Sequence, residues 1–245
     1  MERLKKAVCL ESTPSSAELL RLLQQIAAED ATRRGGGQAL LLSRGCTWVL
    51  VKNRLTISRW PEPGEELELT TWPLTGRFGL YPRCIELRDG AGELLVKVES
   101  IWAIMDVESR TMLRGEERGI RMEGVEEGRL APQRRLTVPE GGEVHELIPQ
   151  PGQIDENGHL NNAAYLDAAE ALLPPSLRGR RPRAIAIDYE HEIPAGSRAE
   201  VRVAAEGDSC FFEGSLEGRV CFRLREDFAV QDRLDKPIAS IDELE

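Results

Sequence analysis

The sequence lacks any apolar stretch long enough to cross a bilayer. Its longest apolar runs, at residues 39–42 and 101–105 of 245, have the length of strands, whereas a membrane helix needs about 20 residues. The first ten residues carry basic side chains but lack the apolar core and cleavage site of a signal peptide. These absences predict an unprocessed, soluble, cytoplasmic protein with no membrane association.

Positive charge and paired cysteines are also scarce. Lys and Arg number 32 against 42 Asp and Glu, which gives a formal charge of −10, so we expect no nucleic acid partner, because phosphate binding needs an excess of basic residues. An odd number of scattered cysteines without a C-x-x-C pair disfavours a disulfide framework and a zinc site. We therefore expect free thiols, no metal and no cofactor. The cysteines are Cys9, Cys46, Cys84, Cys210 and Cys221.

What the sequence does contain is a helix-plus-strands pattern that occurs twice. Apolar residues at helical spacing predict a helix over residues 15–30, and alternating residues between 48 and 105 predict antiparallel strands. A second helix, predicted over 162–173, is again followed by alternating segments. Internal duplication of an α+β unit is the simplest interpretation.

The two halves align when Gly64 is superposed on Gly196, an offset of 132 residues. The segment between the halves is charged and rich in glycine. We therefore divide the chain into an N-terminal repeat over residues 1–130, a linker over 131–142 and a C-terminal repeat over 143–245.

The most polar segment lies directly before the second helix. Residues 155–165 read Asp-Glu-Asn-Gly-His-Leu-Asn-Asn-Ala-Ala-Tyr. One interpretation is a polar turn in which Asn161 or Asn162 caps the helix. The other is a reactive site next to a helix N-terminus, where free amides can stabilise a developing oxyanion. Such a site would present the side chains of Asp155, Asn157 and His159.

This segment resembles the acyl-acyl-carrier-protein thioesterases of bacteria and plant plastids. Their second repeat carries Asp-x-Asn-x-His-x-Asn-Asn-x-x-Tyr, which residues 155–165 match without a gap. Similar features, among them Trp48 and Trp72, extend the resemblance over roughly residues 15–230. It implies a tandem, or double, hotdog of the α+β class. In that fold each half is a helix wrapped by a curled antiparallel sheet, and the halves pack as an internal pseudo-dimer.

The resemblance also implies the reaction, which is hydrolysis of the thioester that joins a fatty acyl chain to acyl carrier protein. The catalytic residues implied are Asp155, Asn157, His159 and Glu192. Plant members carry a cysteine directly after that glutamate, but here Ile193 occupies the position. We therefore expect attack by activated water, with either His159 or Glu192 as the general base.

Other residues are candidates for binding the substrate or for docking the carrier protein. Asn161, Asn162, Trp48 and Trp102 are candidates for binding the substrate, although core packing is equally expected of the tryptophans. The single active site should lie in the second half, because no histidine precedes His145, and the first half should form the acyl tunnel. Because the chain is itself acidic, docking of an acidic carrier needs a local basic patch. The densest basic cluster is Arg178, Arg180, Arg181 and Arg183, for which a solvated turn is the alternative.

Two other functions fit the same residues. A hotdog enzyme that hydrolyses acyl-coenzyme A uses the same chemistry, and a non-catalytic acyl-binding or regulatory module is the less favoured interpretation. His145 and His191 are interpreted as structural residues. The sequence also leaves open whether the chain forms a homodimer.

Overall fold

A computed structural model describes residues 2–124, 130 and 133–228. The helices and strands before residue 134 are β1 (Leu4–Val8), α1 (Ser16–Arg33), α2 (Gln38–Ser43), β2 (Cys46–Ile57), β3 (Leu67–Pro73), β4 (Leu80–Asp89), β5 (Leu94–Asp106) and β6 (Met112–Leu113). Those after it are β7 (Glu143–Leu147), α3 (Ala164–Leu172), β8 (Pro182–Tyr189), β9 (Ala199–Glu206), β10 (Ser209–Leu216) and β11 (Arg219–Phe228).

The chain forms two compact units. The first unit comprises Met1–Pro14, Leu19–Asn53 and Arg59–Gln133, and the second comprises Ser15–Glu18, Arg54–Ser58 and Arg134–Glu245, within the described residues. The second unit thus includes two short segments from the first half of the chain, Ser15–Glu18 and Arg54–Ser58. The division into 1–130, 131–142 and 143–245 stays a prediction, and Met1 and residues 125–129, 131–132 and 229–245 lie outside the described residues.

Each unit contains a sheet with the same strand order. In the first unit the order is β1-β3-β4-β5-β2, and β6 also pairs with β5; in the second it is β7-β9-β10-β11-β8. β3 begins at Leu67 and β9 at Ala199, an offset of 132 residues. The turns before them contain Gly64 and Gly196, with φ of +79° and +77°, a conformation that glycine adopts without strain. The structure therefore agrees with internal duplication.

The predicted first helix is confirmed as α1. Its N-terminus is a capping box, since the Glu18 amide donates to Ser15 Oγ and the Ser15 amide donates to the Glu18 carboxylate. At its other end the fully buried Asp30 accepts hydrogen bonds from Arg34 at 2.7 Å and from Arg83 of β4 at 2.8 Å. These buried charges fix the helix to the sheet of the first unit. The apolar run at residues 39–42, although strand-sized, lies in α2.

The two faces of the second unit's sheet have different character. The inner face packs on α3, where the Tyr165 ring lies edge-on to Tyr189 of β8 and Phe222 of β11. The other face, here called the outer face, carries the intervening residues of the same strands, among them Asp188 and Arg223. The inner face is therefore largely apolar, whereas the outer face carries charge.

The segment predicted as a linker is bound to this outer face over residues 134–142, here called the strap. Leu136 packs on Ala184 and Ala186, and its amide donates to the Asp188 carboxylate at 2.7 Å. Asp188 also accepts a hydrogen bond from Arg54 at 2.7 Å. The strap is thus part of the second unit. No helix among the described residues combines the length and apolarity that a bilayer crossing requires.

The buried carboxyl group of Glu226 makes the stability of the fold depend on pH. Glu226 lies on the inner face of β11, opposite Ile185 of β8 and Cys210 of β10, and is 2% exposed. Burial, with Glu170 of α3 and Asp227 nearby, raises its pKa from 4.5 to about 8. Above the ordinary pKa the unfolded chain releases this proton while the folded chain keeps it, so rising pH favours unfolding.

We predict that Glu226→Gln stabilises the protein more at pH 8 than at pH 5. The neutral amide removes the cost of burying a carboxylate, and that cost grows from about pH 4.5 until it is complete above about pH 8. The measurement is the free energy of unfolding in urea of wild type and variant at each pH. A stability difference that does not change between pH 5 and pH 9 would contradict the prediction.

Candidate functional site

Two ionisable side chains meet in the second unit. His159 Nε2 lies 3.3 Å from Glu192 Oε2, and the two side chains are 22% and 35% exposed. His159 belongs to residues 155–165, here called the motif loop, and Glu192 lies three residues beyond the end of β8. The structure therefore brings together two of the four residues predicted to be catalytic, at hydrogen-bond reach and with access to solvent.

Asp155 holds the motif loop in shape. Its Oδ1 accepts hydrogen bonds from the amides of Asn157 at 2.9 Å and His159 at 3.2 Å. The Asp155 amide in turn donates to the His159 carbonyl at 2.9 Å, and Gly158 takes φ of +81° in the turn between them. The Asn157 side-chain amide lies 3.4 Å from the other oxygen of Asp155. All four predicted residues thus occur within one connected arrangement.

A short antiparallel ladder joins the motif loop to the chain after Glu192. The Leu160 amide donates to the Ile193 carbonyl and the Ala195 amide donates to the Gly158 carbonyl, both at 2.9 Å. His159 forms a bridge with Pro194 between these bonds. Because residues 158–160 and 193–195 are held side by side, the side chains of His159 and Glu192 are held close together.

Tyr165 is a residue of the motif to which sequence analysis gave no role. It is 3% exposed, and its hydroxyl shares a hydrogen bond with the backbone of Ile193. Burial raises the pKa of this hydroxyl, which therefore stays neutral. The Tyr189 hydroxyl donates to the Asn162 carbonyl at 2.9 Å. These two tyrosines attach the start of α3 to the segment that carries Glu192.

The two consecutive asparagines lie at the entry to α3, which begins at Ala164, two residues later than predicted. Asn161 Oδ1 accepts a hydrogen bond from the Ala163 amide at 3.0 Å, and the Asn161 amide donates to the Gln153 carbonyl. The side chain of Asn161 therefore stabilises the turn before the helix, but the N-cap of α3 is Ala163 and no side chain caps it, so the prediction that Asn161 or Asn162 caps the helix is wrong. A role for Asn161 and Asn162 in binding substrate stays a prediction.

The two tryptophans assigned to substrate lie in the first unit and are half-buried. The Trp48 indole donates to the Gly36 carbonyl at 2.8 Å, and its ring lies edge-on to Tyr81. The Trp102 indole donates to Ser100 Oγ at 3.0 Å. Trp48 packs against a buried cluster that includes Leu41. Their contribution to an acyl tunnel stays a prediction.

The basic cluster after α3 is partly committed to internal contacts. Arg178 donates to the Leu173 carbonyl at the C-terminus of α3, and Arg180 pairs with Asp208 at 2.7 Å. Arg178 and Arg181 are exposed, whereas Arg180 and Arg183 are half-buried. The role of these four arginines in docking a carrier stays a prediction.

The thiol of Cys221, which lies 3.9 Å from the Glu192 carbonyl oxygen, is chemically unsuited to attack. Cys221 is 2% exposed, and burial raises its pKa, so the reactive thiolate is disfavoured. Burial likewise raises the pKa of Cys210 to about 12. Within residues 2–124, 130 and 133–228, no cluster of three or more His, Cys, Asp or Glu side chains could hold a metal ion.

Comparison with known families identifies both halves of the chain. Residues 11–118 match the model of the acyl-ACP thioesterase N-terminal domain, and residues 138–225 match that of the C-terminal domain. Among curated proteins, a chloroplastic acyl-[acyl-carrier-protein] hydrolase of Cuphea viscosissima is 22% identical over 80% of this chain and 52% of its own. A chloroplastic palmitoyl-acyl carrier protein thioesterase of Gossypium hirsutum is 22% identical over 74% of this chain and 48% of its own. The chain thus spans about half the length of these curated relatives.

Solved structures confirm the predicted tandem hotdog fold. An acyl-ACP thioesterase from Bacteroides thetaiotaomicron matches with a TM-score of 0.79 and 21% identity, covering 93% of this chain and 98% of that one. A 12:0-ACP thioesterase from Umbellularia californica matches with a TM-score of 0.77 and 18% identity, covering 93% and 97%. At these identities the likeness establishes the fold.

We predict that Asp155→Ala loosens the motif loop. The amides of Asn157 and His159 lose a carboxylate acceptor, and hydrogen bonds to charged groups contribute about 1.5–3 kcal/mol. Exchange of these two amides with deuterated solvent, followed by NMR, should accelerate at least about ten-fold. Glu156→Ala, which removes the neighbouring exposed carboxylate, is the control and should leave both rates unchanged. Equal exchange rates in wild type and Asp155→Ala would contradict the role given to Asp155.

Proposed function

We propose that this chain, which belongs to the acyl-ACP thioesterase family, hydrolyses the thioester bond of an acyl-acyl carrier protein and releases the free fatty acid. The observation that carries this proposal is the contact between His159 and Glu192 at 3.3 Å, in a loop shaped by Asp155. An imidazole and a carboxylate at this distance form a unit that can accept and return one proton near neutral pH.

In the proposed reaction, a water oxygen attacks the carbonyl carbon of the thioester. A carbon–oxygen bond forms while the His159–Glu192 pair accepts a proton from the water, and the carbonyl oxygen becomes an oxyanion. Collapse of this intermediate breaks the carbon–sulfur bond, and the pair returns the proton to the leaving thiolate. One water is consumed, and the products are the fatty acid and the thiol of the carrier. Neither step needs a metal or a cofactor.

Asp155 and Asn157 have supporting roles in this proposal. Asp155 uses its carboxylate to bind the loop amides, so it acts as a positioning residue for His159. Asn157 is exposed beside it, and its amide can orient the water or polarise the carbonyl oxygen. The buried Cys221 takes no part, because attack would need its thiolate.

We predict that His159→Ala and Glu192→Ala each lose most of the hydrolysis of acyl-acyl carrier protein. A positioned acid–base group contributes about 10²–10⁴-fold to rate, so kcat should fall by at least about two orders of magnitude. Both side chains are partly exposed, so the variants should keep the wild-type unfolding temperature. Steady-state kinetics with a panel of acyl chains from C8 to C18 is the measurement.

Cys221→Ser is the matched control for these variants, because it replaces a buried thiol of the same unit while leaving the side chains of His159 and Glu192 in place. Its kcat should stay close to that of wild type. Turnover at the wild-type rate by His159→Ala or Glu192→Ala would refute the assignment, and loss of turnover in a folded Cys221→Ser would favour covalent catalysis.

The substrate carrier is proposed to be acyl carrier protein, with coenzyme A as the alternative carrier. Arg181, an exposed member of the basic cluster, is proposed to contact the acidic carrier. Attraction between surface charges is screened over about 8–10 Å at 0.1–0.15 M ionic strength, so such a contact must weaken as salt rises. The cytoplasmic location and the homodimer stay predictions.

We predict that Arg181→Glu raises the KM for acyl-acyl carrier protein more than the KM for the matching acyl-coenzyme A. The reversed charge repels an acidic protein over a larger surface than it repels a small thioester. The ratio of the two KM values should approach the wild-type ratio as salt is added. Arg110→Glu, the same charge change at an exposed turn of the first unit, is the control. Equal changes for both substrates would exclude Arg181 from the docking surface.

A further inference from the structure

The segment that carries Glu192 contains an irregularity of the sheet. The amides of Glu190 and His191 both donate to the Cys221 carbonyl, at 2.8 and 3.0 Å. They follow directly after Tyr189, the last paired residue of β8. Two consecutive residues of one strand that face a single residue of the next form a β-bulge, which redirects the side chains beyond it.

This bulge separates two carboxylates that a regular strand would place together. Side chains two residues apart lie on the same face of a strand, so Glu190 and Glu192 would both point to the outer face. Instead, Glu190 contacts Arg223 on the outer face, whereas Glu192 contacts His159. His159 belongs to the loop that leads into α3, the helix of the inner face. The extra residue therefore allows Glu192 to reach the proposed catalytic histidine.

The carboxylate of Glu190, on the outer face, binds two arginines. The Arg223 guanidinium pairs with Glu190 through Nη1 and with Glu213 of β10 through Nε, the latter at 2.8 Å. Arg135 of the strap adds a hydrogen bond from its Nε to Glu190 at 3.2 Å. The side chains of Arg223 and Glu190 are 14% and 21% exposed, so this pair is less screened by water than an ordinary surface ion pair.

We propose that the ion pair between Glu190 and Arg223 positions Glu192 for catalysis, by fixing the bulge that turns Glu192 toward His159. Glu190 and Arg223 are positioning residues in this proposal, since neither contacts the reacting atoms. The inference rests on the proposed function of Glu192. Glu192 is then held on both sides, by the bulge before it and by the ladder at residues 193–195 after it.

The first arm of the test is kinetic. Glu190→Gln and Arg223→Gln each remove one charge of the pair, and a small displacement of a catalytic group can lower rates by up to about 100-fold. We expect kcat for acyl-acyl carrier protein to fall roughly ten- to a hundred-fold in each variant, with KM close to wild type. Arg223→Lys keeps the positive charge and should recover most of the loss.

The matched control is Arg225→Gln. Arg225 lies two residues from Arg223 on the same strand face, is 13% exposed and pairs with Asp227 at 3.0 Å. Its loss removes a comparable ion pair that lies away from the bulge, so kcat should stay within about two-fold of wild type. A fall in kcat equal to that of Arg223→Gln would overturn the proposal, because it would show a general effect of removing charge from this face.

The second arm asks whether Glu190 acts through Glu192. In a Glu192→Gln background, adding Glu190→Gln should cause no further loss of kcat, since the group to be positioned is already absent. A further loss as large as that in the wild-type background would overturn the proposal. It would show that Glu190 contributes by another route.

The third arm does not depend on activity. The chain has three histidines, so the imidazole NMR signals of His159 can be assigned with a His159→Gln variant. These signals should move in Glu190→Gln and Arg223→Gln in the direction that they move in Glu192→Gln, and stay in place in Arg225→Gln. Unmoved signals would overturn the positioning role even in an active enzyme. Failure of wild type to hydrolyse the thioester would instead overturn the proposed function alone.

Discussion

The candidate site depends on one short antiparallel ladder. The main chain of residues 158–160 pairs with that of 193–195 through two hydrogen bonds at 2.9 Å, and this pairing brings His159 beside Glu192. Backbone bonds determine this proximity more firmly than the contact of the two side chains, which are partly exposed. Asp155 on one side of the ladder and the bulge at Glu190 on the other then define the direction of each side chain. The proposed reaction needs both the proximity of His159 and Glu192 and the correct orientation of their side chains.

Buried charges fix the larger frame within each unit. In the first unit Asp30 of α1 joins Arg83 of β4, and in the second unit Asp188 of β8 joins Arg54 and the strap. Removing the aspartate of either group leaves a buried arginine without that carboxylate, which costs several kcal/mol. These contacts therefore specify where a helix or a strap lies on its sheet, a position that apolar packing alone leaves less defined.

The sequence predicts the helices and strands better than it predicts the contacts between them. The helical spacing of Leu19, Leu23 and Ile26 predicts α1, and alternation predicts most of the strands, because both patterns record burial along one segment. The eleven-residue motif likewise predicted which half carries the polar site. Composition predicts a linker over residues 131–142 but gives no sign of the contact between Leu136 and Asp188, because those residues lie 52 positions apart in the chain. The bulge at Glu190 and His191 has no local signal, since alternation assumes a regular strand.

The duplicated frame also explains why one half can carry chemistry without disturbing the other. The two sheets have the same strand order, and the turns at Gly64 and Gly196 share a left-handed backbone conformation. Just before those turns the side chains differ, since Trp60 stands where Glu192 stands 132 residues later. A turn whose shape is determined by glycine and by strand pairing leaves its flanking side chains open to change. The fold therefore constrains the backbone in both units, while the proposed acid–base pair requires only the few polar residues that the second unit supplies.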